Sequence, residues 1–222
     1  MQAAIIIATL LVALLAAPLL RAQMYVGFMG GVATLSGDAR SIVNSNAAEF
    51  SSYNATNGVV LNGFVGKHLA DIFSVQGEYV WNRNPLMLAA GAFDPTSVTA
   101  YQQDRNSSQN SVFASVLVYF RSRKSRIRPY LSLGGGWVHL SSTVKSISAI
   151  QGAAPVPPPE FSANMFGLRV PVGIDVTLHS GWRVRYSFSE TMSRNPISHE
   201  LTPPGPHSLK NFQNLFGIVR EF

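Results

Sequence analysis

The sequence predicts an all-β fold, an eight-stranded antiparallel up-and-down barrel. Three observations carry this reading: strict two-residue alternation of apolar and polar side chains, alternating segments of about ten residues or more, and short connections that alternate with long ones. The alternation is clearest from Phe166 to Leu178. The even positions there are Phe166, Leu168, Val170, Val172, Ile174, Val176 and Leu178; between them stand Gly167, Arg169, Pro171, Gly173, Asp175 and Thr177. Successive side chains on a strand point to opposite faces, so this segment separates an apolar medium from a polar one. Trp182, Val184, Tyr186 and Phe188 repeat the pattern opposite Arg183, Arg185, Ser187 and Ser189.

Segment length decides which media these are. Strands of a soluble β core run about five or six residues, whereas about ten residues cross a bilayer at a tilt. Aromatic residues gather near segment ends, at Tyr79, Trp81, Phe120, Trp137, Trp182, Phe188 and Phe222, as they do at membrane interfaces. Eight strands are expected, at 24–33, 58–69, 72–82, 110–121, 127–139, 164–178, 181–192 and 211–222. Short turns are expected at Ala70-Asp71, Arg121 to Arg126 and His179-Ser180. The intervening 34–57, 83–109, 140–163 and 193–210 are rich in Asn, Ser, Gly, Gln and Pro. That layout is a transmembrane barrel with short periplasmic turns, long external loops and both ends on the periplasmic side.

Composition agrees. Charged residues make up 13% of the chain, against roughly a quarter in soluble proteins. Beyond the N-terminus no apolar run reaches the ~20 residues of a helical span. The absence of cysteine excludes disulfides, thiolate metal sites and a cysteine nucleophile. The balance is basic, at +6. Ala3 to Leu20 form an apolar block broken at Pro18 and followed by Arg21-Ala22-Gln23, which reads as a cleaved signal peptide over 1–22 ahead of a barrel domain at 23–222. Export sets a nucleic-acid partner aside and makes outer-membrane lipid and lipopolysaccharide the expected anionic partners.

Two stretches and the final segment carry a family resemblance. Arg128-Pro129-Tyr130-Leu131 leading into Gly134-Gly135-Gly136 is similar to a mid-barrel strand of the small eight-stranded outer-membrane barrels, the OmpA transmembrane domain and the opacity-type porin family. Gly173-Ile174-Asp175-Val176, a tight turn and Trp182-Arg183-Val184-Arg185-Tyr186 are similar to their sixth and seventh strands. The last segment resembles the signal read by the barrel-assembly machinery: Phe222 is the terminal aromatic and Gly217 stands five residues before it, while Arg220 occupies the place of a second aromatic. The resemblance implies a bacterial outer-membrane location and the assembly machinery as a partner. A monomer without cofactor or metal is expected.

The interior of an eight-stranded barrel is filled by side chains. The alternation directs Gln76, Glu78, Arg128, Arg169, Asp175, Arg183 and Arg185 inward. Unpaired buried charge is very costly, so Glu78 and Asp175 are expected to neutralise some of the four arginines in a structural network; a narrow anion-preferring path is the functional alternative.

Candidate chemistry is sparse. His139 and Ser141 lie two apart on one strand face with Trp137, and a histidine can activate a serine when a carboxylate such as Glu160 or Glu190 orients it. Some eight-stranded barrels are lipid A deacylases with a lipid-facing His-x-Ser pair, although their pattern continues with Asn where this chain has Ser142. His199, Glu200 and His207 are too few for a metal centre of three or four converging ligands. Arg121 to Arg126 form the densest basic cluster, at the periplasmic end. The function expected is a non-catalytic outer-membrane barrel with a structural or surface-interaction role. The alternatives are a lipid A-modifying hydrolase using His139 and Ser141, and an exported lipocalin-like carrier.

Overall fold

A computed structural model describes residues 23–43, 48–93, 98–151, 160–179, 181–196, 198 and 208–222. The expected signal segment at 1–22 lies outside the described residues, as do His199, Glu200 and His207. The strands are β1 Met24–Val43, β2 Ala48–Ala55, β3 Asn57–His68, β4 Phe73–Phe93, β5 Val98–Tyr119, β6 Ile127–Gln151, β7 Phe161–His179, β8 Trp182–Arg194 and β9 Ser208–Glu221. Apart from β2 and β3, sequential neighbours pair antiparallel, and β1 pairs with β9 from Tyr25↔Glu221 to Ser36↔Lys210, which closes the sheet on itself.

β2 and β3 both pair with β1 and β4, so they occupy one place in the wall and the ring has eight positions. The interruption between them has a cause. Ala55 faces Leu86 and Val59 faces Arg83, which leaves one extra residue on the β2–β3 side. It falls opposite Pro85, which cannot donate to the ladder; the Thr56 hydroxyl donates instead to the Pro85 carbonyl at 2.9 Å.

The two faces separate as the alternation requires. On β7, Phe166, Leu168 and Val172 are exposed, while Arg169 and Asp175 are about 1% exposed. Val26 and Phe28, Val59 and Val65, Val75 and Tyr79, Val112 and Val116, Leu131 and Leu133, Tyr186 and Phe188, and Phe216 and Ile218 carry the outward apolar belt round the other walls. Water would penalise so large an exposed apolar band; hydrocarbon does not.

The outer edge of the belt is built from ring–amide pairs. The Tyr79 hydroxyl donates to Asn110 Oδ1 at 2.6 Å, Trp137 Nε1 to Asn164 Oδ1 at 3.3 Å and the Tyr186 hydroxyl to Asn214 Oδ1 at 3.0 Å. Each ring keeps its apolar body toward lipid and gives its polar atom a partner on the next strand, as interfacial aromatics do. At the opposite edge Phe120, Leu178, Trp182 and Phe222 are exposed. Outward Arg220 lies over Trp182 and Phe222, with 5.2 and 5.9 Å from its guanidinium carbon to the ring centres.

Two expectations about the outer half need correction. The segments expected as loops at 34–57, 83–109 and 140–163 are largely strand. β4, β5 and β6 continue well past the belt, paired along their whole outer lengths. The ladder continues because both faces of β5 are polar there. Tyr101, Gln103, Arg105, Ser107 and Gln109 are buried, and Gln102, Asp104, Asn106, Ser108 and Asn110 alternate with them, half-buried. The interior, to which the alternation directs polar and charged residues, is also apolar in part. Ala33, Leu35, Val60, Val80, Val138, Leu140, Met165 and Leu215 form an apolar core in the outer half of the barrel.

Candidate functional site

The alternation of β4, β6, β7 and β8 brings all the inward candidates, Gln76, Glu78, Arg128, Arg169, Asp175, Arg183 and Arg185, into the barrel as buried residues. They form tiers along the axis. In the middle tier Arg185 grips Asp175 with both arms, Nε to Oδ1 at 2.6 Å and Nη2 to Oδ2 at 2.7 Å. Nη2 also donates to the Tyr119 hydroxyl at 2.9 Å and Nη1 to Gln76 Oε1 at 2.9 Å. The Tyr119 hydroxyl in turn donates to Asp175 Oδ2 at 3.1 Å. Phe64 and Tyr130 pack on the guanidinium at 4.8 and 4.9 Å. A bidentate pair with nearly all its remaining protons satisfied is the arrangement that makes a buried charge tolerable.

One tier outward, Arg169 lies 3.3 Å from Glu78 but does not aim its Nε proton at it. Its Nη1 donates to Gln213 Oε1 at 2.7 Å and Thr191 Oγ1 at 3.0 Å. Glu78 accepts from Ser115 at 2.7 Å and Asn62 at 2.9 Å. The void beside this pair, lined among others by Met29, Gln76 and Pro171, measures about 10 Å³, room for about one water. Outward again lies the apolar core. Above it Arg105, about 1% exposed, donates to Ser142 Oγ at 2.9 Å and Gln103 Oε1 at 2.7 Å and sits 5.2 Å from the Phe161 ring.

The periplasmic mouth is organised around Glu221, which the sequence reading did not single out. Glu221 pairs with Arg123 and Arg183 and lies 3.5 Å from His68. Arg128 stacks 3.8 Å from the Tyr119 ring centre and donates to the Asp71 carbonyl at 2.9 Å. A signal for Glu221 was present: with Phe216 and Ile218 outward, the odd residues of β9 face inward.

Gly217 and Phe222, expected as an assembly signal, sit on the closing seam. Gly217 faces Met29 across it. A Cβ there would collide with the Phe28 carbonyl and lie 2.6 Å from Met29 Cα. The Phe222 amide donates to the Met24 carbonyl at 2.9 Å.

His139 and Ser141 face outward on β6 beside Trp137, but they find different partners. His139 Nδ1 lies 2.8 Å from Asn164 Oδ1 and Nε2 lies 3.4 Å from Ser162 Oγ, both on β7. Ser141 donates to the Ser108 carbonyl at 3.5 Å. Glu160 accepts from the Val144 amide at 3.3 Å. Among the described residues no group of three or more His, Cys, Asp or Glu is placed to hold a metal.

A family model for the outer membrane protein beta-barrel domain matches residues 6–208. The chain belongs to that family. This outer-membrane barrel is a protein of the bacterial outer membrane. Its fold is similar to that of neisserial surface protein A, at 13% identity, with 90% of this chain and 97% of that one covered and a TM-score of 0.53. It is also similar to the attachment invasion locus protein Ail of Yersinia pestis (13%, 89% and 98% covered, TM-score 0.48) and to OprG of Pseudomonas aeruginosa (14%, 90% and 96%, TM-score 0.41). At these identities the likeness concerns the fold alone. Comparison with curated proteins gives no match.

Proposed function

We propose that this barrel is a non-catalytic, non-conducting outer-membrane protein with a structural and surface-interaction role, carried by the outer extensions of β4, β5 and β6. The observation that supports this most is the packed axis. The Arg185–Asp175 tier, the Arg169–Glu78 tier and the apolar core follow one another within a barrel too narrow for both side chains and a water column. What the barrel offers its surroundings is then its surface. About a dozen residues of each long strand, at ~3.3 Å per residue, continue past the lipid belt and present Gln102, Asp104, Asn106 and Ser108 outward. A lipocalin-like carrier needs the reverse layout, a polar exterior and an open ligand cavity. Planar-bilayer recording tests the reading: the refolded barrel is expected to give no conductance steps, and steady ohmic steps would reject it.

One observation favours a second reading. Asn164, His139 and Ser162 stand in the order orienter, base, nucleophile on the lipid-facing wall, which suggests a hydrolase acting on an ester of lipid A. Against it, the carboxylate nearest in sequence, Glu160, accepts from the Val144 amide rather than orienting His139, whose Nδ1 partner is the neutral Asn164 amide. Incubation with lipopolysaccharide, followed by mass spectrometry of lipid A, separates the two. Intact lipid A is expected; acyl loss that disappears in Ser162→Ala but persists in Ser141→Ala would establish the hydrolase.

A further inference from the structure

The periplasmic mouth holds more positive charge than the barrel needs. A basin of about 510 Å³ opens between the 120–126 turn and the β7–β8 turn, lined by Arg123, Lys124, Arg126, Arg183 and a single carboxylate, Glu221. Glu221 is already shared between Arg123 and Arg183. Lys124 and Arg126 make no ion pair among the described residues. Four cations against one carboxylate leave a surplus in the lining; the Asp71 carboxylate beside the turn accepts the Arg123 amide at 2.9 Å and lowers that surplus without cancelling it.

A second observation is independent of the charge count. The Nε protons of Arg123 and Arg183 have no acceptor, and neither does Nη1 of Arg128 just inside. The Arg183 side chain is only 7% exposed, so water reaches it poorly, and a buried guanidinium proton without an acceptor is costly. The contrast with Arg185, whose donors are nearly all engaged two residues along the same strand, shows that this barrel can satisfy an arginine when its own groups are meant to do so.

We propose that this basin is a phosphate site, taking either a free phosphate group of the periplasm or the phosphate of an inner-leaflet phospholipid headgroup. A planar carboxylate is satisfied by one guanidinium fork. Here the forks are partly spent on Glu221, and what remains is single N–H groups on separate arginines. A tetrahedral phosphate offers acceptors in several directions and up to two negative charges, which meets both the geometry and the surplus. Water would fill the acceptor positions but leave the charge. The basin also adjoins exposed Leu178, which brings a headgroup within reach.

The test follows the arginine Nε–H resonances of the ¹⁵N-labelled barrel. One arm titrates inorganic phosphate into the barrel in maltoside micelles; the other compares nanodiscs of neutral lipid with nanodiscs containing phosphatidylglycerol. Saturable shifts at Arg123 and Arg183 with inorganic phosphate assign the site to free phosphate. Shifts only in the anionic nanodiscs assign it to the headgroup. Lys124 and Arg126 lie on the exposed turn, so Lys124→Gln with Arg126→Gln should keep the fold, checked by heat-modifiable migration, and weaken binding about fivefold per residue. No shift in either arm, or shifts that the double variant leaves unchanged, would overturn the proposal.

Discussion

Arg183 and Arg185 stand two residues apart on β8, both inward and both buried, yet their surroundings differ in kind. Arg185 is clasped by Asp175, Gln76 and Tyr119 and covered by aromatic rings, with almost every proton directed at an acceptor. Arg183 shares Glu221 with Arg123 and keeps an Nε proton unmatched at the edge of an open basin. Similar burial therefore serves two ends. The inner arginine closes a network that locks the wall strands in register, and the outer one is left able to meet something from outside the chain.

The largest effect is expected from breaking the frame that holds both. Gly217→Val places a side chain against the Phe28 carbonyl and Met29 on the closing seam, and refolding into detergent should fail, read as loss of heat-modifiable migration; normal closure would show that the seam has slack. Next comes the inner arginine. Asp175→Asn leaves Arg185 charged and without its counter-ion, which should cost about 3–5 kcal/mol in urea unfolding. Removing both charges together, as Asp175→Leu with Arg185→Met, should cost much less than the single change; equal losses would mean that the stranded charge is not what makes the single change costly. Smallest is the outer arginine. Arg183→Gln leaves Glu221 with Arg123, so stability should fall by about 1 kcal/mol or less. A loss as large as that of Asp175→Asn would make the two arginines equivalent and erase the contrast.

The same division explains what was legible in the sequence. Where one face meets lipid and the other a charged core, period two is loud. Phe166 to Leu178 and Trp182 to Ser189 disclosed their sidedness, their phase and the inward arginines directly. Past the belt, β5 has water outside and polar side chains inside, so its hydrophobic signal vanishes although the ladder persists. Val98 to Gln109 therefore read as a loop, and Arg105 within it carried no signal. The apolar core was hidden for the converse reason: Ala33, Val60, Val80 and Val138 are apolar on the face where polarity was expected, which flattens the alternation of their strands. Glu221 was within reach of the β9 phase but was overshadowed by the terminal aromatic beside it. The pairing of His139 with Asn164 and Ser162 depends on β6–β7 register, which spacing along one strand does not encode.

The account rests on apolar side chains facing hydrocarbon while the arginines face the axis. All three tryptophans, Trp81, Trp137 and Trp182, lie on the outward phase, so their fluorescence reports on that sidedness without any substitution. In bilayers of brominated phospholipid, strong quenching is expected, with little additional quenching by aqueous acrylamide. Emission indifferent to the brominated chains but readily quenched by acrylamide would place the rings in water and contradict the account.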